Sequence, residues 1–113
     1  MTVEQTIRKT LNLLAAVGVG NWNVEVGEFV SKPNRSGLCS YRNHTIYISA
    51  KILDDEKELL ATIQEEVAHV ISADTNHGEN FRRALDFVCD AANSPSAVRD
   101  RKFRIEVTEA KNA

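Results

Sequence analysis

The sequence predicts an α+β fold in which one helix is followed by three short strands and then by two further helices. Apolar residues recur at helical spacing near the N-terminus and again over residues 59–71. The segments between them alternate with the period of a strand, and turn residues separate one segment from the next. Because 113 residues suit one hydrophobic core, we expect a single domain that spans residues 1–113.

The first predicted element is an amphipathic helix over residues 2–17. Its apolar side chains are spaced for one buried stripe, which contains Val3, Ile7, Leu11, Leu14 and Val17. Gly18 and Gly20 follow the last of these residues, and glycine is common directly after a helix. We therefore expect the helix to end at about Val17.

Three strands are predicted in the middle of the chain. Residues 22–29 alternate apolar and polar side chains, which is typical of a strand with one buried face. A loop over residues 31–37 follows. Residues 38–41 and 46–48 predict two more strands, and the intervening Arg42-Asn43-His44 suits a tight turn that joins them.

A central helix is predicted next. Asp54, Asp55 and Glu56 precede it, and carboxylates stabilise the positive end of a helix dipole. Its apolar residues fall on one side, which comprises Leu59, Leu60, Ile63, Val67, Val70 and Ile71. That side is expected to pack in the core.

The last predicted helix begins at Asn76, because a cap residue is followed three positions later by Glu79. It carries the apolar residues Phe81, Leu85, Phe87 and Val88. Ser94-Pro95 is expected to end it. Residues 94–113 then predict a short strand or a loose tail.

The polar side of the central helix carries the candidate functional residues. Glu65 and His69 are four residues apart, so their side chains lie one above the other on the same helix face. Glu66 lies beside them, and His77 follows after a turn that can fold it back over the pair. Glu65 and His69 therefore have the geometry of metal ligands.

Two motifs and part of the sheet region resemble a known family. Glu65-Glu66-Val67-Ala68-His69 is similar to the His-Glu-x-x-His motif of the SprT-like (Spartan-like) zinc metalloprotease domain, and His77-Gly78-Glu79-Asn80-Phe81 matches its His-Gly-x-x-Phe stretch. Residues 36–40 and 45–49 also look like that family's sheet. The resemblance covers most of the chain. It implies a zincin-like minimal domain with a helix, a small three-stranded antiparallel sheet, an active-site helix and a C-terminal helix.

The resemblance also implies roles for individual residues. His69 and His77 take the positions of two of the family's three metal ligands, and Glu66 takes that of its catalytic general base. Glu65 replaces the first motif histidine, and the chain has no counterpart of the zinc ribbon that some members carry. The implied activity is that of a metal-dependent peptidase, in which Glu66 activates the water that attacks a peptide bond.

Three interpretations of Glu65 remain open. As a ligand, it would join His69 and His77 in a set of two histidines and one carboxylate, which suits catalytic zinc and also iron(II). As an inactivating replacement, it would leave a metal-free pseudoenzyme that acts as a protein- or nucleic-acid-binding module. In the third, Glu66-x-x-His69 is half of a di-iron site, but such a site needs a second copy of this motif and the sequence has none.

Composition excludes several classes of protein. No apolar run approaches the ~20 residues that cross a bilayer, so no membrane insertion is expected. The first residues resemble neither a signal peptide nor a transit peptide, so we expect a cytoplasmic protein. Cys39 and Cys89 lack metal-type spacing, and we expect both to be reduced.

The charge pattern bears on the partners. A net charge of −2 gives no general attraction to nucleic acid, so any DNA or RNA binding is expected to be weak and local. The basic residues that could contribute are better explained as solvated side chains, namely Arg82, Arg83, Arg99, Arg101, Lys102 and Arg104. The expected partner is a protein, either a substrate or a binding partner. The sequence predicts no oligomeric state.

Overall fold

Three α-helices and a three-stranded sheet form the part of the chain that the structure, a computed structural model, describes, which is residues 1–93. The elements are α1 (Val3–Ala16), β1 (Asn23–Gly27), β2 (Gly37–Ser40), β3 (Thr45–Ser49), a 3₁₀ turn (Ala50–Ile52), α2 (Glu56–Ser72) and α3 (Glu79–Asn93). The predicted α+β class and order of elements are confirmed. The strand or tail predicted over residues 94–113 lies outside the described residues.

The sheet is mixed rather than antiparallel. Its strand order is β1-β3-β2, and β2 and β3 form the predicted antiparallel hairpin. The antiparallel prediction is wrong for β1, which runs parallel to β3 with Val24 opposite Ile46. Between β1 and β3 the chain forms β2, so β1 and β3 are joined by a long connection and not by a tight turn. A connection of this length can join parallel strands.

Helix α1 forms as predicted, but it buries a different face. Thr6 and Thr10 are fully buried, whereas Val3 and Leu11 are 43% and 40% exposed. Each buried hydroxyl donates a hydrogen bond to the backbone carbonyl four residues earlier, at 2.8 Å. Because these bonds satisfy the hydroxyls, the threonines can enter the core and the predicted stripe is rotated partly towards solvent.

Helix α2 is buried on two sides. Leu59, Ile63 and Val67 pack in the hydrophobic core, as the sequence predicts. The adjacent side meets β2, where a Cβ atom added to Gly37 would lie 2.7 Å from Thr62 Cγ2 and 2.9 Å from Glu66 Cγ. Part of the polar side of the helix is therefore covered by β2, so Glu66 is only 7% exposed, whereas Glu65 stays exposed.

Helix α3 packs along α2 and completes the core. It begins at Glu79, slightly later than predicted, and its buried residues are Phe81, Ala84, Phe87, Val88 and Ala91. Cys39 and Cys89 are both free thiols, as expected. Within residues 1–93, no helix combines the length and hydropathy that a bilayer crossing requires.

Candidate metal centre

A cleft lies between α2, the loop that leads into β2, and the segment that joins α2 to α3. All four predicted site residues line it, namely Glu65, Glu66, His69 and His77. The helix α2 supplies the first three, and the turn after α2 returns His77 to the same side. The structure thus places the predicted residues in one cleft, although their exposure differs: Glu65 is exposed and Glu66 is buried.

The turn after α2 determines where His77 lies. Ala73 caps the helix in the left-handed conformation, with φ 53°, and its N–H donates to the His69 carbonyl. Asp74 then reverses the chain by accepting a hydrogen bond from the Asn76 N–H through its carboxylate, at 2.9 Å. As a result, the rings of His69 and His77 lie 5.1 Å apart, centre to centre.

The His69 ring has a defined orientation. Its Nδ1 atom lies 2.7 Å from the backbone carbonyl oxygen of Asp74. Because a carbonyl can only accept, Nδ1 carries the proton in this hydrogen bond and Nε2 keeps its lone pair free. A second hydrogen bond, from the Tyr41 hydroxyl to the His69 carbonyl at 2.7 Å, ties the same residue to the end of β2. Metal-binding histidines are oriented in this way.

His77 is held by Phe81 rather than by a hydrogen bond to a described residue. The two rings stack at 4.3 Å with an angle of 7° between their planes. Phe81 also contacts the His69 ring, at 4.5 Å, and its side chain is buried in the core. One core residue of α3 therefore positions both histidine rings.

The donor chemistry fits a divalent metal, but the arrangement is incomplete. The histidine pair offers imidazole nitrogens, and Glu65 offers a carboxylate in the same cleft. However, no three histidine, cysteine or acidic side chains among residues 1–93 are grouped closely enough to hold an ion. The structure therefore brings two of the three predicted ligands together and leaves the third, Glu65, in the cleft beside them.

Glu66 is a buried carboxyl next to this pair. No described residue donates a hydrogen bond to it. The pKa of Glu66 is raised to about 7, mainly by burial and also by the neighbouring Glu65 carboxylate, while the positive charge of Arg35 acts in the opposite direction. A carboxyl with this pKa both accepts and releases protons near neutral pH, which is what a general base needs.

Strand β2 and the residue after it supply contacts that the sequence did not predict for this site. Gly37 lets the strand approach Glu66, because any Cβ atom there would lie 2.9 Å from the Glu66 Oε2 atom. Burial raises the pKa of the Cys39 thiol to about 12, and burial likewise raises the pKa of Tyr41, so both are uncharged at neutral pH. No spacing in the sequence indicates these contacts, because they arise from strand pairing. The only signal was the resemblance of residues 36–40 to a family's sheet.

The described elements define a small zincin-like α+β domain. A solved structure with this fold is the metallopeptidase zymogen of Methanocaldococcus jannaschii jannalysin, with a TM-score of 0.59 and 18% sequence identity. The likeness covers 82% of this chain and 91% of that one. At this identity it establishes the shared fold. No protein-family model and no curated protein matches the sequence.

Proposed function

We propose that this protein is a metal-dependent peptidase of the SprT-like type, with Glu66 as its general base. The observation that carries the proposal is the buried Glu66 carboxyl, which has no hydrogen-bond donor among the described residues and lies in a cleft beside two histidines. The positive charge of Arg35 lowers the pKa of this carboxyl but does not offset its burial, and a carboxyl buried at a net cost calls for an explanation such as catalysis. The metallopeptidase fold of the structural neighbour supports the same class.

The residues that would hold the metal are His69, His77 and Glu65. His69 offers its free Nε2 atom, His77 lies within ring contact of it, and Glu65 lines the same cleft. When bound, a divalent metal would polarise the substrate carbonyl and lower the pKa of water to ~7. Two histidines and a carboxylate suit zinc first and iron(II) second.

The chain's own residues would bind the peptide and move the proton. Strand β2 is an edge strand that reaches the cleft through Gly37, so an extended peptide can pair with its backbone. Glu66 would then take a proton from the attacking water and pass it to the leaving amine, because its pKa allows both steps near neutral pH.

A second candidate function is that of an inactive SprT-like module that binds protein or nucleic acid. One observation favours it: the described residues contain no group of three histidine, cysteine or acidic side chains that could hold a metal ion. A glutamate is longer and less directional than an imidazole, so a site shaped for histidine can lose its metal.

Elemental analysis of the purified full-length protein distinguishes the two functions. The peptidase proposal expects close to one zinc or iron per chain and a melting temperature that falls on chelation, because metal binding is linked to folding. The Glu66→Gln variant should keep the metal and lose cleavage of an unfolded protein substrate, since the substitution removes the proton acceptor and no ligand.

The pseudoenzyme alternative expects the opposite pattern. The native protein would be free of metal at micromolar zinc, and only the Glu65→His variant, which restores the usual family set, would bind it. A native chain that stays folded, metal-free and inactive with added zinc would refute the peptidase proposal.

A further inference from the structure

A small side pocket opens from the cleft between β2 and α2. Its own walls are Leu38, Cys39 and Tyr41, and it shares Arg35, Glu66, His69 and Thr75 with the cleft. Its volume is about 170 Å³. Because a cavity of roughly 150 Å³ can hold a benzene molecule, the side pocket has room for a medium-sized substrate side chain.

Arg35 is the distinctive group of this pocket. It lines both the cleft and the side pocket, and no other lysine or arginine among residues 1–93 lines either of them. The side chain is exposed, and its positive charge acts on the buried Glu66 carboxyl. An arginine at such a position keeps its charge at all relevant pH values and is available to a ligand.

The remaining walls suit the body of an acidic side chain. Leu38 offers an apolar contact for methylene groups, while Cys39 and Tyr41 are uncharged. Glu66 bears the opposite charge to Arg35, but it is buried whereas Arg35 is exposed. A carboxylate that enters from solvent therefore reaches the guanidinium before it reaches Glu66.

We infer that Arg35 is a specificity-determining residue. It selects peptides that carry a carboxylate group next to the peptide bond that lies in the cleft. This inference rests on the proposed function, because it assumes that the cleft binds a peptide. A guanidinium pairs with a carboxylate through two parallel hydrogen bonds, and these are stronger and more directional than the contact of a lysine.

Peptide binding to the full-length protein tests the inference independently of cleavage. Fluorescence anisotropy would compare two labelled, acetylated and amidated peptides that differ only in one residue, glutamate or glutamine. We expect the glutamate peptide to bind roughly tenfold more tightly, which is the effect of one charged hydrogen-bonded pair. A glutamine peptide with a free C-terminus shows whether a terminal carboxylate serves equally well.

Substitutions of Arg35 test whether its positive charge determines the preference for the glutamate peptide. Arg35→Gln should remove the preference for glutamate, and Arg35→Glu should shift it to a lysine peptide. Arg82→Gln is the matched control, because Arg82 is exposed on α3 and does not line the cleft or the side pocket. It should leave the preference unchanged.

The outcomes separate this inference from the proposed function. Equal binding of glutamate and glutamine peptides, together with cleavage of both, would overturn the role of Arg35 and leave the peptidase intact. A preference that depends on Arg35 in a protein without metal or cleavage would support the inference and refute the peptidase. If Arg82→Gln abolishes the preference as fully as Arg35→Gln, the effect is one of overall charge and the inference fails.

Discussion

Glu66 links the candidate chemistry to the stability of the fold. Its pKa rises from 4.5 to about 7 on folding, so the folded state binds more protons than the unfolded state between these values. The free energy of unfolding should therefore be highest below pH 4.5 and should fall as the pH rises through 7, by roughly 3 kcal/mol at about 1.4 kcal/mol for each pH unit. Urea unfolding at pH 5 and pH 8, with a chelator present, measures this loss.

The Glu66→Gln variant checks the assignment of that loss. An uncharged amide cannot ionise, so we expect the variant to lose less stability between pH 5 and pH 8 than the native protein. Glu25→Gln serves as the control, because Glu25 is exposed on β1. If the native protein and Glu66→Gln show the same pH dependence, Glu66 is not the group responsible.

The Tyr41 hydroxyl is predicted to stabilise the end of α2. Removing it in Tyr41→Phe deletes the hydrogen bond to the His69 carbonyl and should cost about 1 kcal/mol of unfolding free energy. We also expect weaker zinc binding, because the same bond holds the His69 backbone. Tyr47→Phe is the control, since the Tyr47 hydroxyl has no hydrogen bond to a described residue. Equal effects of the two substitutions would contradict a positioning role for Tyr41.

At the scale of elements, the contact between β2 and α2 leaves no space for a side chain at Gly37. Gly37→Ala would place a methyl group within 3 Å of Thr62 and Glu66, so either the strand or these two side chains must shift. Overpacking of this kind costs 1–3 kcal/mol, approximately, and should also reduce the activity that depends on Glu66. Circular dichroism during urea unfolding gives the stability, and a peptide cleavage assay gives the activity.

Gly27→Ala provides the comparison for that experiment. Gly27 is also a strand residue, but a Cβ atom there would meet nothing within 4 Å. Its substitution should therefore change stability by less than the substitution of Gly37. A Gly37→Ala protein as stable as Gly27→Ala would show that β2 can move away from α2 at little cost.

The elements also show how much of this fold the sequence could predict. Helix α2 and the hairpin of β2 and β3 were predictable, because helical spacing and a tight turn are local features. The buried face of α1 was not, because Thr6 and Thr10 look polar in sequence and enter the core only through bonds to their own backbone. The parallel pairing of β1 with β3 depends on contacts between residues distant in sequence, so no local pattern indicates it.

The candidate site likewise contains some residues that the sequence could predict and others that it could not. Glu65 and His69 could be placed on one helix face because their spacing is helical, and the resemblance added Glu66 and His77. Arg35 and Cys39 could not be found, since pairing of β2 with β3 and packing against α2 bring both residues to the side pocket. The exposure of Glu65 also depends on how deeply α2 is packed, which the sequence does not specify.

At the scale of the whole molecule, the net charge predicts weak nucleic-acid binding. With a net charge of −2, the chain offers few contacts for phosphates, and counterion release makes such binding sensitive to salt. We expect any affinity for duplex or single-stranded DNA to be lost by ~0.2 M salt. A salt titration followed by fluorescence anisotropy measures this. Tight binding at that salt concentration would instead support a DNA-dependent function.

The short connection between His69 and His77 affects the denatured chain as well. Closing a loop of so few residues costs little entropy, so the two imidazoles meet often even when the sheet and the core are unfolded. Zinc would then bind part of the denatured ensemble, and binding to that ensemble reduces the stabilisation that a ligand gives to the native state. The rise in melting temperature with zinc would consequently be smaller than the affinity of the native protein implies. The same local pairing would let the chain capture zinc early in folding, before β1 reaches β3.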